Sequence, residues 1–589
     1  MMRVRLTAMM VWMLMCVAGL ARGQVSPFTA VRFEDKARMI VRYEGEWVEL
    51  VSIGGISTRA LVRGSMLEFG PLWEKRIGED LLDVFEAMGV VLDQTDTIDL
   101  LLRSGDDLVS VSEAPMTRAN RALVLEYNLM NEPVSPDAVM RELEEIIKSH
   151  HAYASLRGVD LRELIKTETE ALGDQAPVGV VRRAAQRIVA KLGDGHAGVR
   201  EWRDGLPTGY LPVRFERARG GIVALHADRS GLVDESHPYI DAIDGVPLEH
   251  WIDGVRAYVP AGSDQYVEAG SLRELRALNF ARNTLGREAS DTATLTLRDA
   301  QGASRVEVQI PLDDRLSRST TRVGRATGRI DEDIAYLRLA RMSPEDRGSM
   351  HAWIASMREE LALVTEGANG LVIDVRGNGG GLRHPILALL PCLMSAEDKP
   401  AVVNAARYRL GAGDDPHAPG GYLENRFLFP RAWPGWSDRE RAAIDQFQAG
   451  FEPAWDVSEG DFSDWHYMVV SAGGDDVTRF DGPVIVLMDA GCFSATDIFL
   501  AAMGELPQVT LLGTASGGGS ARSKTYEIGE LEVRLATMAS YQPNGMLFDG
   551  VGVPPDVTVE PDAGDLVGRG DTQLDRAIEL IRGRFQESP

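Results

Sequence analysis

Ser494 is the residue whose setting most suggests chemistry. It stands in Gly482-Pro-Val-Ile-Val-Leu-Met-Asp-Ala-Gly-Cys-Phe-Ser-Ala-Thr-Asp-Ile-Phe-Leu-Ala-Ala-Met503, which reads as a buried strand (Val484–Met488), a tight turn through Gly491 and a helix opening just after the serine. At a helix N-terminus, unpaired backbone N–H groups and the helix dipole stabilise developing negative charge, so a nucleophile and an oxyanion hole both fit there. The same serine is equally a helix cap, because Ser, Thr and Asp are the preferred capping residues, and this segment alone favours the cap.

Two further segments change the balance. Gly370-Leu-Val-Ile-Asp-Val-Arg-Gly-Asn-Gly-Gly-Gly381 is a second apolar strand emptying into a glycine-rich turn, where backbone N–H groups can approach a ligand closely. Phosphate binding is the rival use, but neither a P-loop Gly-Lys-Ser/Thr ending nor a spaced dinucleotide fingerprint is present, so an oxyanion loop fits better. Lys191-Leu-Gly-Asp-Gly-His-Ala-Gly-Val-Arg200 follows an amphipathic helical stretch, Val180 to Leu192, and puts His196 in a glycine-flanked turn. Histidine is the usual acceptor of a serine proton near neutral pH, although with ten histidines in the chain a turn histidine alone decides nothing.

Taken with Phe548-Asp-Gly-Val-Gly-Val-Pro-Pro-Asp556, these segments resemble the tail-specific and C-terminal-processing serine proteases, which include the tricorn core protease. The resemblance covers roughly residues 135 to 560, with the motifs in the family's order. It implies an α/β multidomain fold: a helical subdomain, a PDZ-like β module and a mixed α/β protease core of the ClpP/crotonase type. In the family's Ser-Lys branch a lysine would stand at position 519, which here is Gly519; Lys524 is near, and such a lysine is more often a solvated charge. The tricorn-like branch uses an upstream histidine and a carboxylate near the last glycine-valine motif. His196 and Asp549 match those positions, with Asp549 in place of the usual glutamate. Asp549 would orient the imidazole and stabilise its protonated form; as an aspartate before glycine, it also suits a turn. The resemblance further implies oxyanion donors at the amides of Gly379 or Gly380 and of Ala495, whereas Asp374 and Arg376 hold the turn.

The N-terminus has Arg3 and Arg5, an apolar run from Leu6 to Leu20, then Ala21-Arg22-Gly23. This is the pattern of a secretory signal peptide over residues 1–23, and the run is shorter than a spanning helix needs. We therefore expect a periplasmic or extracellular protein with no stable membrane anchor after cleavage. Loss of Arg3, Arg5 and Arg22, with no acid, takes the net charge from −26 to −29. So acidic a surface repels phosphate backbones and argues against nucleic acid as a partner. Cys16 leaves with the signal; Cys392 and Cys492 could pair but make no disulfide framework, and no zinc spacing or other cofactor signature is present.

At 589 residues several domains are expected. Residues 24–134 mix strand-like stretches (Met39 to Ile53) with an amphipathic helix (Glu79 to Met88), and their role is unreadable. Residues 135–203 read as helices carrying His196, including one opened by Ser135-Pro-Asp and another over Leu161–Leu172. Residues 204–313 read as short strands and turns. Within them Tyr239-Ile-Asp-Ala-Ile-Asp-Gly-Val-Pro-Leu248 resembles a PDZ strand-turn or, as readily, is an ordinary hairpin. Residues 325–589 form the protease core, whose first strand lies in Ile330–Leu339. An insertion at about 395–480 carries Trp433, Trp436, Trp455 and Trp465, which read as a satellite core rather than a cleft lining. The expectation is an exported serine endopeptidase acting on unfolded or C-terminally exposed polypeptide. A catalytically inactive peptide binder on the same scaffold, or a protease with Lys524 as base, are the alternatives.

Overall fold

A computed structural model describes residues 25–587 except 35–37, 71–72, 91–96, 106, 132, 204–208, 314–315, 317–323, 345–348, 412–422, 458–460 and 475–476. The expected signal segment and Cys16 lie outside the described residues. Two compact units are present: residues up to 135 with 175–181, and residues 136–174 with 182 onward. In the first, antiparallel strands Ala30–Glu34, Arg38–Tyr43, Glu46–Ile53, Thr97–Ser104 and Asp107–Pro115 form one sheet. Its core joins Met39, Val41, Leu50 and Leu100 to Leu61, Ile77 and Val84 of the helices. The helix expected over Glu79–Met88 is present as Leu81–Ala87, and a separate helix, Trp73–Glu79, precedes it. The break is at Asp80, whose carboxylate accepts from Arg76 at 2.6 Å and from Arg121 at 3.0 Å.

The second unit is built on a sheet in the order Gly328–Arg329, Ile334–Arg338, Gly370–Asp374, Val484–Met488, Val509–Gly513, Val557–Thr558. From Ile334–Arg338 onward the pairings are parallel. Its three middle strands are buried at every position, as parallel strands covered on both faces must be. On one face Leu371, Ile373, Val484 and Val486 pack with helices Met350–Thr365, His384–Leu393 and Ala495–Gly504. On the other, Val372, Ile485, Leu487 and Leu512 meet Leu574, Ala577 and Ile581 of helix Thr572–Glu587. The turns after Asp374, Met488 and Gly513 therefore all leave the carboxyl edge of one sheet, where open α/β sheets carry their sites.

The tryptophan-rich stretch is less separate than an insertion suggests. Its strands Ala401–Tyr408, Phe429–Pro430 and His466–Val470 form a sheet with Met538–Tyr541. Trp436 packs in a small core with Val402, Ile444 and Tyr467, and Trp433 and Trp465 lie against it. Trp455 packs instead near Tyr153 and Phe462. Strands Val213–Ala218, Gly221–His226, Tyr239–Ile243, Thr292–Arg298 and Arg305–Pro311 form another sheet. Three helices interrupt this strand-and-turn region: Leu248–Arg256, Asp264–Glu274 and Leu278–Thr284. Helix Asp264–Glu274 escapes a periodicity reading because Gly270 and Ser271 are among the residues it buries. Cys392 and Cys492 are free and buried rather than paired; their thiols donate to the carbonyls of Ala388 and Val375. No helix among the described residues is long and apolar enough to cross a membrane.

Asp374 and Arg376 anchor the strand end. Arg376, 2% exposed, donates to Asp374 at 2.9 and 2.6 Å, to Asp571 at 2.6 and 2.8 Å and to Gln573 at 3.0 Å. Tyr336 and Arg338 also bind Asp374, at 2.7 and 2.8 Å. Burial alone would raise the Asp374 carboxyl, but Arg376 and Arg338 bring it down to about 2. Its folded value lies below the ordinary 3.8, so its stabilising share is present above that value and is lost as pH falls through about 2. Arg376→Ala leaves two carboxylates short of their cation and is expected to cost about 3–5 kcal/mol in urea unfolding; a loss under 1 kcal/mol would contradict this account.

Candidate active site

The turn between strand Val484–Met488 and helix Ala495–Gly504 holds Ser494 at φ 61°, ψ −118°, a region that non-glycine residues rarely occupy. Such strain costs on the order of 1–3 kcal/mol and persists only where the surroundings over-determine it. Here they do. The Phe493 amide donates to the Asn378 carbonyl at 3.1 Å, Gly517 to Cys492 at 2.7 Å and Asp497 to the Ser494 carbonyl at 3.0 Å. The Ser494 side chain makes no capping bond to its helix. Its Oγ lies 3.3 Å from His196 Nε2.

Gly380 is pressed against this turn. At φ 95°, a Cβ there would meet the Phe493 carbonyl oxygen at 2.4 Å, Ser494 Cβ at 2.8 Å and the Ala495 amide nitrogen at 2.9 Å. The Gly380 amide itself donates to Asn378 Oδ1 at 3.0 Å. Among the described residues the amides of Gly379 and Ala495 are not taken up by hydrogen bonds. Gly519, where the Ser-Lys branch would have its lysine, faces the Phe493 ring, whose Cζ lies 2.4 Å from where a Cβ would stand. Lys524 lies over the Tyr526 ring at 5.4 Å.

His196 is held from several sides. Its amide donates to Asp194 Oδ1 at 2.8 Å, its carbonyl accepts from Arg534 Nε at 3.1 Å, and its ring tilts against Phe493, centroids 4.8 Å apart. Burial, aided by the charges of Arg534 and Arg426 and opposed by Asp194, brings the imidazole down to about 4. It is therefore neutral near pH 7, the state a general base needs.

Asp549, 0% exposed, accepts at Oδ2 from the Tyr153 hydroxyl at 2.9 Å and the Ser520 amide at 3.1 Å. Its Oδ1 and His196 Nδ1 are both buried without a hydrogen-bond partner. One polar atom each of Asp194, His196 and Asp549 lies within 4.8 Å of the other two. Burial, reinforced by the Asp194 charge and eased by Ser520 and Tyr153, pushes the Asp549 carboxyl up to about 8. Both Asp194 oxygens are already committed, Oδ2 to the Ala536 amide at 2.6 Å. Asp549 Oδ1 and His196 Nδ1 are thus the atoms of this cluster without a hydrogen-bond partner.

Several of these residues were not singled out from sequence. Burial would raise the Asp194 carboxyl, but His151, His196 and the Ala536 amide hold it below the ordinary value. His151 Nε2 stands 3.4 Å from Asp194 Oδ2, an ion-pair distance without hydrogen-bond alignment. Asp497 also lies deep: burial pushes it up to about 7, while the Ser516 hydroxyl at 2.5 Å and the amides of Gly519 and Gly518 at 3.0 and 3.2 Å favour its charge. It ties the 516–520 loop to the serine helix. Asp194, in the Asp-Gly-His turn, and Asp497, three residues after the serine, carried a signal by adjacency; Tyr153 and His151 carried none.

Residues 333–559 match the model of Peptidase family S41. A carboxy-terminal-processing protease of Bartonella bacilliformis is 24% identical over 286 residues, a match spanning 48% of this chain and 51% of that protein. The chain thus aligns with about half the length of this curated relative. Among solved structures, mature CPAF superposes with a TM-score of 0.55 at 15% identity, over 77% of this chain and 98% of that one. Mature CPAF complexed with lactacystin gives 0.53 at 15% identity, over 76% and 98%. At such identities the likeness is one of fold, a mixed α/β architecture of several sheets.

The two glycines beside Ser494 should respond differently to a methyl group. Gly380→Ala is expected to destabilise the chain by about 1–3 kcal/mol in urea unfolding, through overpacking and a positive φ. Gly379→Ala, whose Cβ meets nothing within 4 Å, is expected to be nearly neutral. Equal effects of the two would show that Gly380 is not wedged against the turn.

Proposed function

We propose, from the match of residues 333–559 to the model of Peptidase family S41, that the protein is an exported serine endopeptidase cleaving unfolded or C-terminally exposed polypeptide. The observation that carries the reading is the approach of His196 Nε2 to the strained, uncapped Ser494 Oγ at 3.3 Å. Ser494 attacks the scissile carbonyl, His196 takes its proton and returns it to the leaving amine, and water releases the acyl group by the same relay. Asp549 orients His196 through the two atoms that have no other partner, Oδ1 and Nδ1, and stabilises the imidazolium. The oxyanion faces amides at Ala495 and at Gly379 or Gly380; Gly379 is the glycine whose amide is uncommitted. Fixed donors of this kind are each worth about 2.7–4 kcal/mol of barrier.

In the same reading, residues 204–313 act as a PDZ-like module that adds an extended peptide to a sheet edge, and residues 135–203 and 325–589 supply the relay. The signal segment directs export. A second reading, a silent peptide binder on this scaffold, is favoured by one observation: Asp549 and His196 present their open atoms without closing a hydrogen bond.

Hydrolysis of casein by the purified mature chain tests the assignment. Ser494→Ala and His196→Ala are each expected to lose at least a thousand-fold in kcat with the fold kept. Full activity in Ser494→Ala would sink the nucleophile, activity kept in His196→Ala would move the base to Lys524, and an inactive unmutated chain would favour the binder. The pH profile is a separate check. With the imidazole neutral above about 4 and the Asp549 carboxyl raised to about 8, hydrolysis should climb as pH rises through about 8, where the carboxylate that stabilises imidazolium forms. A profile flat from neutral pH upward would contradict the role given to Asp549.

A further inference from the structure

Both loops of the proposed relay are fastened by one short segment, His151–Arg157, which follows helix Pro136–His150. Tyr153, 0% exposed, gives its hydroxyl to Asp549 Oδ2 at 2.9 Å. Arg157 donates from Nη2 to the Asp549 carbonyl at 2.9 Å and reaches the Gly193 carbonyl at 3.5 Å. Its side chain passes between two glycines in left-handed conformations. A Cβ on Gly193 (φ 72°) would stand 2.3 Å from Arg157 Nε, and one on Gly550 (φ 85°) 2.2 Å from Nη2. The Ala152 amide bonds the Ala536 carbonyl at 2.9 Å, and the Ala536 amide in turn holds Asp194. The spacing between the His196 turn and the Asp549 turn is thus set by contacts from a third element.

A buried carboxyl has two oxygens, and which one is spent decides which remains. At Asp549 the Tyr153 hydroxyl and the Ser520 amide both take Oδ2, leaving Oδ1 without a partner; His196, whose Nδ1 is also without one, has a polar atom within 4.8 Å of an Asp549 carboxyl oxygen. We propose that Tyr153 is the positioning residue of this site: by holding Oδ2 it fixes the carboxyl orientation that offers Oδ1 to His196 Nδ1, while Arg157 sets the distance between the two loops. The proposal rests on the Ser494–His196–Asp549 reading. It assigns Tyr153 no contact with substrate. The hydroxyl also favours the ionised carboxyl, against the Asp194 and Asp497 charges that oppose it; Tyr266 and His196 also lie near, and Arg157 binds the backbone carbonyl.

The test is steady-state casein hydrolysis across the neutral-to-alkaline range by the unmutated chain, Tyr153→Phe, Asp549→Asn and the double variant, with Arg157→Lys alongside. Tyr153→Phe is expected to lower kcat by about ten- to a hundred-fold, the loss of one hydrogen bond to a charged group, with KM nearly unchanged. Its rising limb should move to higher pH, because the lost donor favoured the charged carboxyl. In the Asp549→Asn background the same change should cost little more, since a residue acting through another has nothing left to act on. Arg157→Lys should lower kcat with KM kept. Unchanged kcat and limb in Tyr153→Phe, or a full loss repeated in the Asp549→Asn background, would overturn the proposal. If Tyr153→Phe does not fold, unchanged kcat in Arg157→Lys would count against it in the same way. No hydrolysis by the unmutated chain removes the proteolytic reading and this inference together; hydrolysis with an indifferent Tyr153→Phe removes this inference alone.

Discussion

The site depends on a backbone conformation that serine does not choose by itself. Ser494 is held at positive φ in the turn that follows a fully buried strand, and Gly380 approaches that turn so closely that a Cβ on it would clash with Phe493, Ser494 and Ala495. No side chain fits between the two turns, so the glycine-rich run after Asp374 is a packing requirement before it is anything chemical. The strain is offset by what surrounds it: parallel strands buried on both faces, the Asn378 carbonyl on Phe493, and the Arg376 network that stops the Asp374 strand end from shifting. Because the turn already spends its bonds on neighbours, the Ala495 amide and the Ser494 hydroxyl are left over.

Burial then sorts the ionisable groups. Four lie close together with little water: Asp194, His196, Asp497 and Asp549. Their environments push them apart, Asp194 down by imidazole and amide partners, and Asp497 and Asp549 up by desolvation. Differences of this kind let neighbouring carboxyls take separate roles, one fixed in charge and structural, another able to ionise in the working range. Asp194 shows the structural end, since its oxygens are taken by the amides of His196 and Ala536.

The sequence was most readable where function and local conformation coincide. A strand, a glycine-rich turn and a helix start are local patterns, so Ser494 and the Gly379–Gly381 run stand out, and Arg376 two residues after Asp374 suggested an anchored turn. The partners that arrive from far along the chain were not readable: Tyr153 meets Asp549 across 396 residues and Arg157 meets it across 392, with no local pattern to mark either. Helix Asp264–Glu274 was missed for a different reason. It buries small and polar residues, and the bonds it gives the 516–519 loop through Ser263 and Gln265, each 2.7 Å, have no signature in hydrophobic periodicity. Likewise Trp433, Trp436 and Trp465 mark a local core, but Trp455 packs in another, and nothing marked the strand Met538–Tyr541 that completes the sheet.

The central claim is that one strained serine is activated by one distant histidine. Peptide mapping by mass spectrometry after brief exposure to a fluorophosphonate tests it without any choice of substrate. The account predicts a single adduct, on Ser494, formed by the unmutated chain and lost in His196→Ala. An adduct on another serine, or equal labelling of Ser494 without His196, would contradict it.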